Sequence, residues 1–155
     1  MPLTLWRLVK ARHAATAFDG EGARRHGGRW NPHGLSAVYL GGSLALAALE
    51  TFVHLAPEDS RLNFVAIPVE VPDDLAIDKL DATHLPKNWR EEPPPPATQT
   101  LGGQWLRERR GALLRLPSVI VPEESIYLVN PLHPDARRLV IGPARAFGFD
   151  HRMWK

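Results

Sequence analysis

The segment SLALAALETFVHL, residues 43 to 55, sets the tightest limit on how this chain folds. Its apolar residues are Leu44, Ala45, Leu46, Ala47, Ala48, Leu49, Phe52, Val53 and Leu55. They surround a helix instead of forming one stripe, so the spacing predicts a helix that is mostly buried. Ser43 is a good N-cap, and Pro57 closes the segment. A single carboxylate, Glu50, stands in its middle. It lies either on a narrow exposed face beside Thr51 and His54 or inside a cleft. Burying a carboxylate without partners is costly, and nearby arginine is the natural compensation.

Strand signals flank this helix. LTLWRLV (3–9) is β-branched, aromatic and short, SAVYLGG (36–42) reads as a strand ending in a two-glycine break, and LNFVAIPVEV (62–71) reads as a long strand in which Pro68 argues for an edge or a bulge. DDLAIDKL is a short extended or turn segment. Four consecutive prolines, 93 to 96, rule out a helix interior or a central strand, so about 86–97 is an exposed loop. TLGGQWLRERRGALLRL reads as helical in part, with Leu101, Trp105 and Leu106 set against an arginine-rich face. SVIVP (118–122) and IYLVNP (126–131) read as two buried strands separated by the turn EES. PDARR gives a helical turn and LVIGPARAFGFD a last strand. No repeat is visible. At 155 residues the whole chain, 1–155, is expected to be one domain of the mixed α+β class.

The stretch GARRHGGRWNPHG, residues 22 to 34, has no apolar periodicity, so neither helix nor strand explains it. Glycines at 27 and 28 let the backbone approach a ligand closely. Arg29 behind them offers a planar fork of donors suited to phosphate, and Trp30 either supports the chain or stacks on a ring. No GK[ST] follows and no GxGxxG opens a helix, so this is neither a Walker loop nor a dinucleotide fingerprint. A glycine-rich surface loop with incidental arginines is the plainer alternative. Tyr39 on its strand is a core ring or a site residue, and Ser118 either satisfies a turn or carries chemistry. Arg7 faces away from Trp6 and Leu8. The seven histidines show no ligand spacing and there is no cysteine, so no metal site is expected. No GxSxG elbow is present.

Charge narrows the partners. The net charge is +2, with six Lys/Arg against two acidic residues in 1–30, and nine acidic against four basic in 56–92. The arginines are scattered among glycine, tryptophan and histidine instead of forming a basic run. That pattern suits a small anionic ligand better than a nucleic acid. Arg7 and Lys10 interrupt any signal-peptide core, and LSAVYLGGSLALAAL is too short to span a bilayer. A cytoplasmic protein without membrane contact is expected.

In order along the chain, LWRLV, GGRWNPHG, AVYLG, LALAALETFVHL, LPSVIVPEE and IYLVNPLHPDA resemble the RES domain family, from about residue 5 to about 150. The family is named for a characteristic Arg, Glu and Ser, which here correspond to Arg29, Glu50 and Ser118. The resemblance implies an ADP-ribosyltransferase-like fold, with short, mostly antiparallel strands in two sheets and a few helices. It also implies a toxin of a toxin–antitoxin pair that consumes NAD by hydrolysis, by phosphorolysis with inorganic phosphate as co-substrate, or by ADP-ribose transfer to a protein. Arg7, Arg29, Tyr39, Glu50 and Ser118 would line the NAD pocket, with Trp30 or Tyr39 as the aromatic face for the nicotinamide. No permanently bound cofactor is implied. The partner would be a helix-turn-helix antitoxin of the Xre type, in a homodimer or a toxin–antitoxin hetero-oligomer.

Cleaving the nicotinamide–ribose bond builds oxocarbenium character on the sugar. A carboxylate in a water-poor cleft stabilises that charge or orients the nucleophile. Glu50 is the candidate, with Arg29, Tyr39 and Ser118 beside it as catalytic residues. Ser118 would bond the nicotinamide amide or the ribose. Three classes are thus weighed: an NAD-degrading enzyme, which is favoured, an ADP-ribosyltransferase acting on a protein, and a non-catalytic binding domain.

Overall fold

The computed structural model describes residues 2–155. Its eight strands are β1 (Leu3–Lys10), β2 (Val38–Gly41), β3 (Phe64–Val71), β4 (Ile77–Lys79), β5 (Leu113–Pro117), β6 (Ser125–Val129), β7 (Val140–Ile141) and β8 (Arg145–Phe147). They form one hydrogen-bonded sheet in the order β4-β5-β6-β2-β1-β3-β7, with β8 also on β3. Only β4 and β5 run parallel. The two expected sheets are therefore a single one. Its narrowest point explains the difference: β2 pairs with β6 along four residues but meets β1 only at Trp6↔Gly41. On the far side β1 and β3 pair over eight residues, from Leu3↔Val71 to Lys10↔Phe64.

Pro68 lies inside the sheet at the kind of irregularity expected of it: the register of β3 slips by one residue between Val69↔Ile141 and Ala66↔Arg145, so two residues of β3 face three on the other side, as in a bulge. The proline falls between the part of β3 that pairs with β7 and the part that pairs with β8. Its missing N–H therefore costs no ladder bond, and its carbonyl accepts from Gly142 N at 2.8 Å.

Three helices accompany the sheet: α1 (Glu21–His26), α2 (Leu44–Phe52) and α3 (Pro96–Glu108). The first lies inside the stretch where no helix was expected. Arg24 and Arg25 both bond the Glu21 carboxylate, which holds it down to about 2. Charge pairs one turn apart thus replace the missing apolar stripe. In α2, Ser43 Oγ accepts from Leu46 N at 3.1 Å, the N-cap the sequence predicts. The expectation of a mostly buried helix is corrected. Only Leu46 and Ala47 are buried, while Leu49 and Val53 are 37% and 57% exposed. The helix packs one face on β1 and β2 and leaves the other open.

The proline run ends as α3 begins at Pro96, a position where a missing N–H does no harm. Arg109, at φ 51°, terminates this helix. LLRLP then forms β5 instead of continuing it, and SVIVP turns instead of forming a strand. Successive residues of β5 and β6 point to opposite faces. Leu114, Leu116 and Leu128 join Trp30, Leu46 and Trp105 in one core cluster. Leu113 and Val129 join Leu5, Val38, Leu40 and Val69 in another.

Candidate functional site

Glu50 lies in the last turn of α2, and Ser118 directly follows β5. Sixty-eight residues apart in sequence, they meet: Ser118 Oγ donates to Glu50 Oε1 at 2.6 Å. The same Oγ accepts from Ile120 N at 3.1 Å and Val121 N at 3.0 Å. The hydroxyl is fully buried, and its one donor and two lone pairs are all engaged. Ser118 therefore fixes the carboxylate from below. Glu50 is half-buried, and its Oε2 has no hydrogen-bond partner among the described residues.

Arg29 engages a different segment, residues 89–92. Nη1 donates to the carbonyls of Trp89 (3.0 Å) and Glu91 (2.6 Å), and Nη2 pairs with Glu92 Oε2 at 2.6 Å. The side chain is 11% exposed, so the guanidinium anchors residues 89–92 as a strap. Arg90 in the strap donates from Nε to Val119 O at 3.1 Å, next to Ser118. The strap thus links the glycine-rich loop to the Ser118 turn. Arg29 Nε–H and its second Nη2–H remain without partners among the described residues.

Tyr39 explains Gly28, and a φ of +71° explains Gly27. The Tyr39 hydroxyl donates to Asn31 Oδ1 at 2.7 Å and accepts from Trp30 N at 3.0 Å. A Cβ on Gly28 would stand 2.7 Å from that hydroxyl oxygen and 2.8 Å from Asn31 Oδ1. Burial pushes the Tyr39 phenol well above its ordinary range, against the Trp30 N–H and the Arg29 charge. Trp30 is completely buried in the core, where Gly102 of α3 packs against its carbonyl. Its ring has no face open to a ligand here, so it supports the chain.

Arg7 sits where the pairing between β1 and β2 stops. Nε donates to Ala17 O at 2.9 Å and Nη1 to Tyr39 O at 3.4 Å. Burial lowers this guanidinium to about 10, against the raising effect of Asp19.

The structure therefore joins Glu50 to Ser118 directly, ties Arg29 to their turn through the strap, and links Arg7 and Tyr39 through one carbonyl. Two hollows of about 530 and 320 Å³ lie elsewhere, one beside Asp19 and Ile67 and one beside Asp78 and Trp105. Neither is lined by Arg29, Tyr39, Glu50 or Ser118. No cluster of three or more His, Asp or Glu able to hold a metal occurs among the described residues. No helix among them is long and apolar enough to cross a membrane.

Sequence reasoning missed several residues. Asn31 is completely buried, and its amide donates to the carbonyls of Ala23, Pro32 and Leu35. Gln99 Nε2 holds Gly28 O at 3.0 Å. The Asn-Pro pair inside a glycine-rich run is a turn signal that could have drawn attention to Asn31. Nothing local announces Gln99, Trp89 or Glu92.

Fold and site together define a mixed α/β protein with a curled, mostly antiparallel sheet and a carboxylate–hydroxyl pair beside an arginine-anchored strap. Residues 4–150 match the family described as the RES domain, and the chain belongs to it. It is 41% identical to the "Prs ADP-ribosylating toxin" of Sphingobium sp. (strain YBL2), over 99% of this chain and 98% of that protein. It is 36% identical to "Toxin Res" of Yersinia enterocolitica, over 97% and 99% of the respective chains. Among solved structures, a chain in the M. tuberculosis MbcT–MbcA toxin–antitoxin complex has the same fold. Its TM-score is 0.76 at 21% identity, with 99% of this chain and 87% of that chain covered.

Proposed function

We propose that this chain is the toxin of a toxin–antitoxin pair and that it cleaves the nicotinamide–ribose bond of NAD. The observation that carries the reading is Glu50, held on Oε1 by Ser118 and free on Oε2. The names of its relatives and the toxin–antitoxin complex of its structural neighbour support it. The ADP-ribosyltransferase-like architecture expected from the resemblance is part of the same reading.

NAD is the substrate, and no bound cofactor is required. The C1′–N bond breaks, and nicotinamide leaves as a neutral molecule, so no general acid is needed. Oε2 faces the oxocarbenium-like ribose, stabilising its charge or orienting the acceptor. The unpartnered edge of Arg29 receives the pyrophosphate, and Arg7 adds positive charge behind Tyr39. With its hydroxyl saturated, Ser118 orients Glu50 instead of touching NAD. Trp30 and Tyr39 hold the glycine-rich wall.

The acceptor of ADP-ribose is water or inorganic phosphate in the first reading. A protein side chain is the second, favoured by the name of the Sphingobium relative. The partner in either case is an Xre-type helix-turn-helix antitoxin that covers Glu50 and Arg29, in a cytoplasmic hetero-oligomer without membrane or nucleic-acid contact by this chain.

The test follows nicotinamide release from NAD by purified protein, with and without phosphate, beside Glu50→Gln and Arg29→Ala. Release by the wild type, lost in both folded variants, is expected. Phosphate dependence would identify phosphorolysis, and label from NAD appearing on a protein would identify transfer. The absence of both nicotinamide release and protein labelling would overturn the reading.

A further inference from the structure

The last turn of α2 carries Glu50 and is closed only by local bonds: Val53 N to Leu49 O at 3.2 Å, His54 N to Thr51 O at 3.1 Å, and Thr51 Oγ1 to Ala47 O at 2.8 Å. It contains no basic residue, and its cap residue Val53 is right-handed, not a left-handed glycine. A helix of nine residues does not hold itself together in water. A carboxylate near its C-terminus also opposes the helix dipole. Ser118 fixes the Glu50 carboxylate, while the bonds of the turn itself are local and do not tie its backbone to the rest of the fold.

Aromatic rings supply the grip. Phe52, the last residue of α2, has its ring centroid 4.8 Å from Trp154 and 5.7 Å from Phe149. Phe149 meets Phe64 of β3 edge-on at 5.2 Å and Phe147 of β8 at the same distance. A continuous row of rings therefore runs from the sheet to the end of α2. Trp154 stands in a short 3-10 helix, His151–Trp154, whose entry is fixed by Asp150. Asp150 accepts from Arg152 N at 2.9 Å and pairs with the Arg152 guanidinium at 2.8 Å. The RES domain match stops at residue 150, so this turn lies just outside it.

We infer that Trp154 is a positioning residue for Glu50: packed on Phe52, it holds the last turn of α2 so that the carboxylate stays on Ser118 with Oε2 presented. The inference rests on the proposed NAD cleavage, with Trp154 acting through Phe52 and touching no substrate.

Three variants test it: Trp154→Ala, Trp154→Phe and, should the alanine form fail to fold, Trp154→Leu. Nicotinamide release gives kcat and KM, and amide hydrogen exchange reports on residues 50–55. In Trp154→Ala, kcat is expected to fall about 10- to 100-fold through displacement of the carboxylate. KM should stay within about twofold, because substrate binding is not removed. Exchange at 50–55 should rise, and Trp154→Phe should restore most of both. A folded Trp154→Ala whose kcat lies within about twofold of wild type overturns the inference, as does a change confined to KM. If the wild type releases no nicotinamide, the NAD reading fails and the exchange decides alone. Raised exchange at 50–55 upholds the brace, and unchanged exchange overturns it.

Discussion

At the scale of single residues, the Ser118 and Tyr39 hydroxyls are saturated by their neighbours, while Glu50 Oε2 and part of the Arg29 fork stay open. Ser118→Ala removes the donor to Glu50 and the acceptor for Ile120 N and Val121 N together. Leaving part-buried amides unsatisfied is expected to cost about 1–3 kcal/mol in a urea titration. Nicotinamide release should fall in the same variant even where it is fully folded. Tyr39 gives a pH signature. Its folded-state pKa is raised by burial, so the stability it contributes is complete below the unfolded value of about 10 and is lost as pH rises above it. Arg7 works the other way: lowered to about 10, it is easier to keep buried as pH rises past that point. Comparing Tyr39→Phe with wild type isolates the tyrosine, since Arg7 is present in both. The urea midpoint of wild type should drop more steeply between pH 9 and 11, a window about one unit either side of the ordinary tyrosine value. Parallel curves would remove Tyr39 from the account. The sequence made Arg29, Tyr39, Glu50 and Ser118 visible as residue types with chemistry to offer. Their partners were not visible: Ser118 meets Glu50 across 68 positions, and Asn31 completes the Tyr39 contact through folding alone.

At the scale of elements, local signals were legible where one segment determines its own structure. Ser43 marked the start of α2, and the long β-branched run LNFVAIPVEV marked β3. LLRLP was harder, because Leu113, Leu114 and Leu116 satisfy a helical spacing as well as a strand. The left-handed Arg109 that ends α3 left no distinctive residue behind. SVIVP is β-branched, yet the Ser118 hydroxyl captures two amides of its own segment and folds it into a turn. The proline-rich loop was legible as a loop, but its role as a strap was not. Arg29 holds it from about sixty positions away. Glu92, 71% exposed, takes an Arg29 donor that a substrate phosphate would also seek. Glu92→Gln keeps the two carbonyl contacts and withdraws the competing charge. KM for NAD is expected to fall roughly two- to fivefold with kcat unchanged, the scale of an exposed ion pair. A rise in KM would mean that Glu92 helps the ligand instead of competing with it.

At the scale of the whole molecule, the sheet has a weak seam. The β4-β5-β6-β2 part and the β1-β3 part share only the Trp6↔Gly41 pair, and α2 lies across both. Gly41 is what allows it to lie there. A Cβ on Gly41 would come within 2.8 Å of Ala47 N and 3.0 Å of the Ala47 Cα and Cβ. These are backbone and first side-chain atoms of a helix, so they cannot swing aside. Gly41→Ala must therefore lift α2 from the seam, thinning the joint between the two parts and drawing Glu50 away from Ser118. Gly22→Ala is the matched control: it lies in α1, and nothing stands within 4 Å of an added Cβ. Alanine there should stabilise the chain by up to about 1 kcal/mol through helix propensity. Overpacking at Gly41 should instead destabilise it by about 1–3 kcal/mol. Thermal melts of the two variants decide the matter. If Gly41→Ala melts like Gly22→Ala, α2 does not clasp the seam. If it melts lower and also loses nicotinamide release, the contact that joins the sheet is the same one that holds the carboxylate in place.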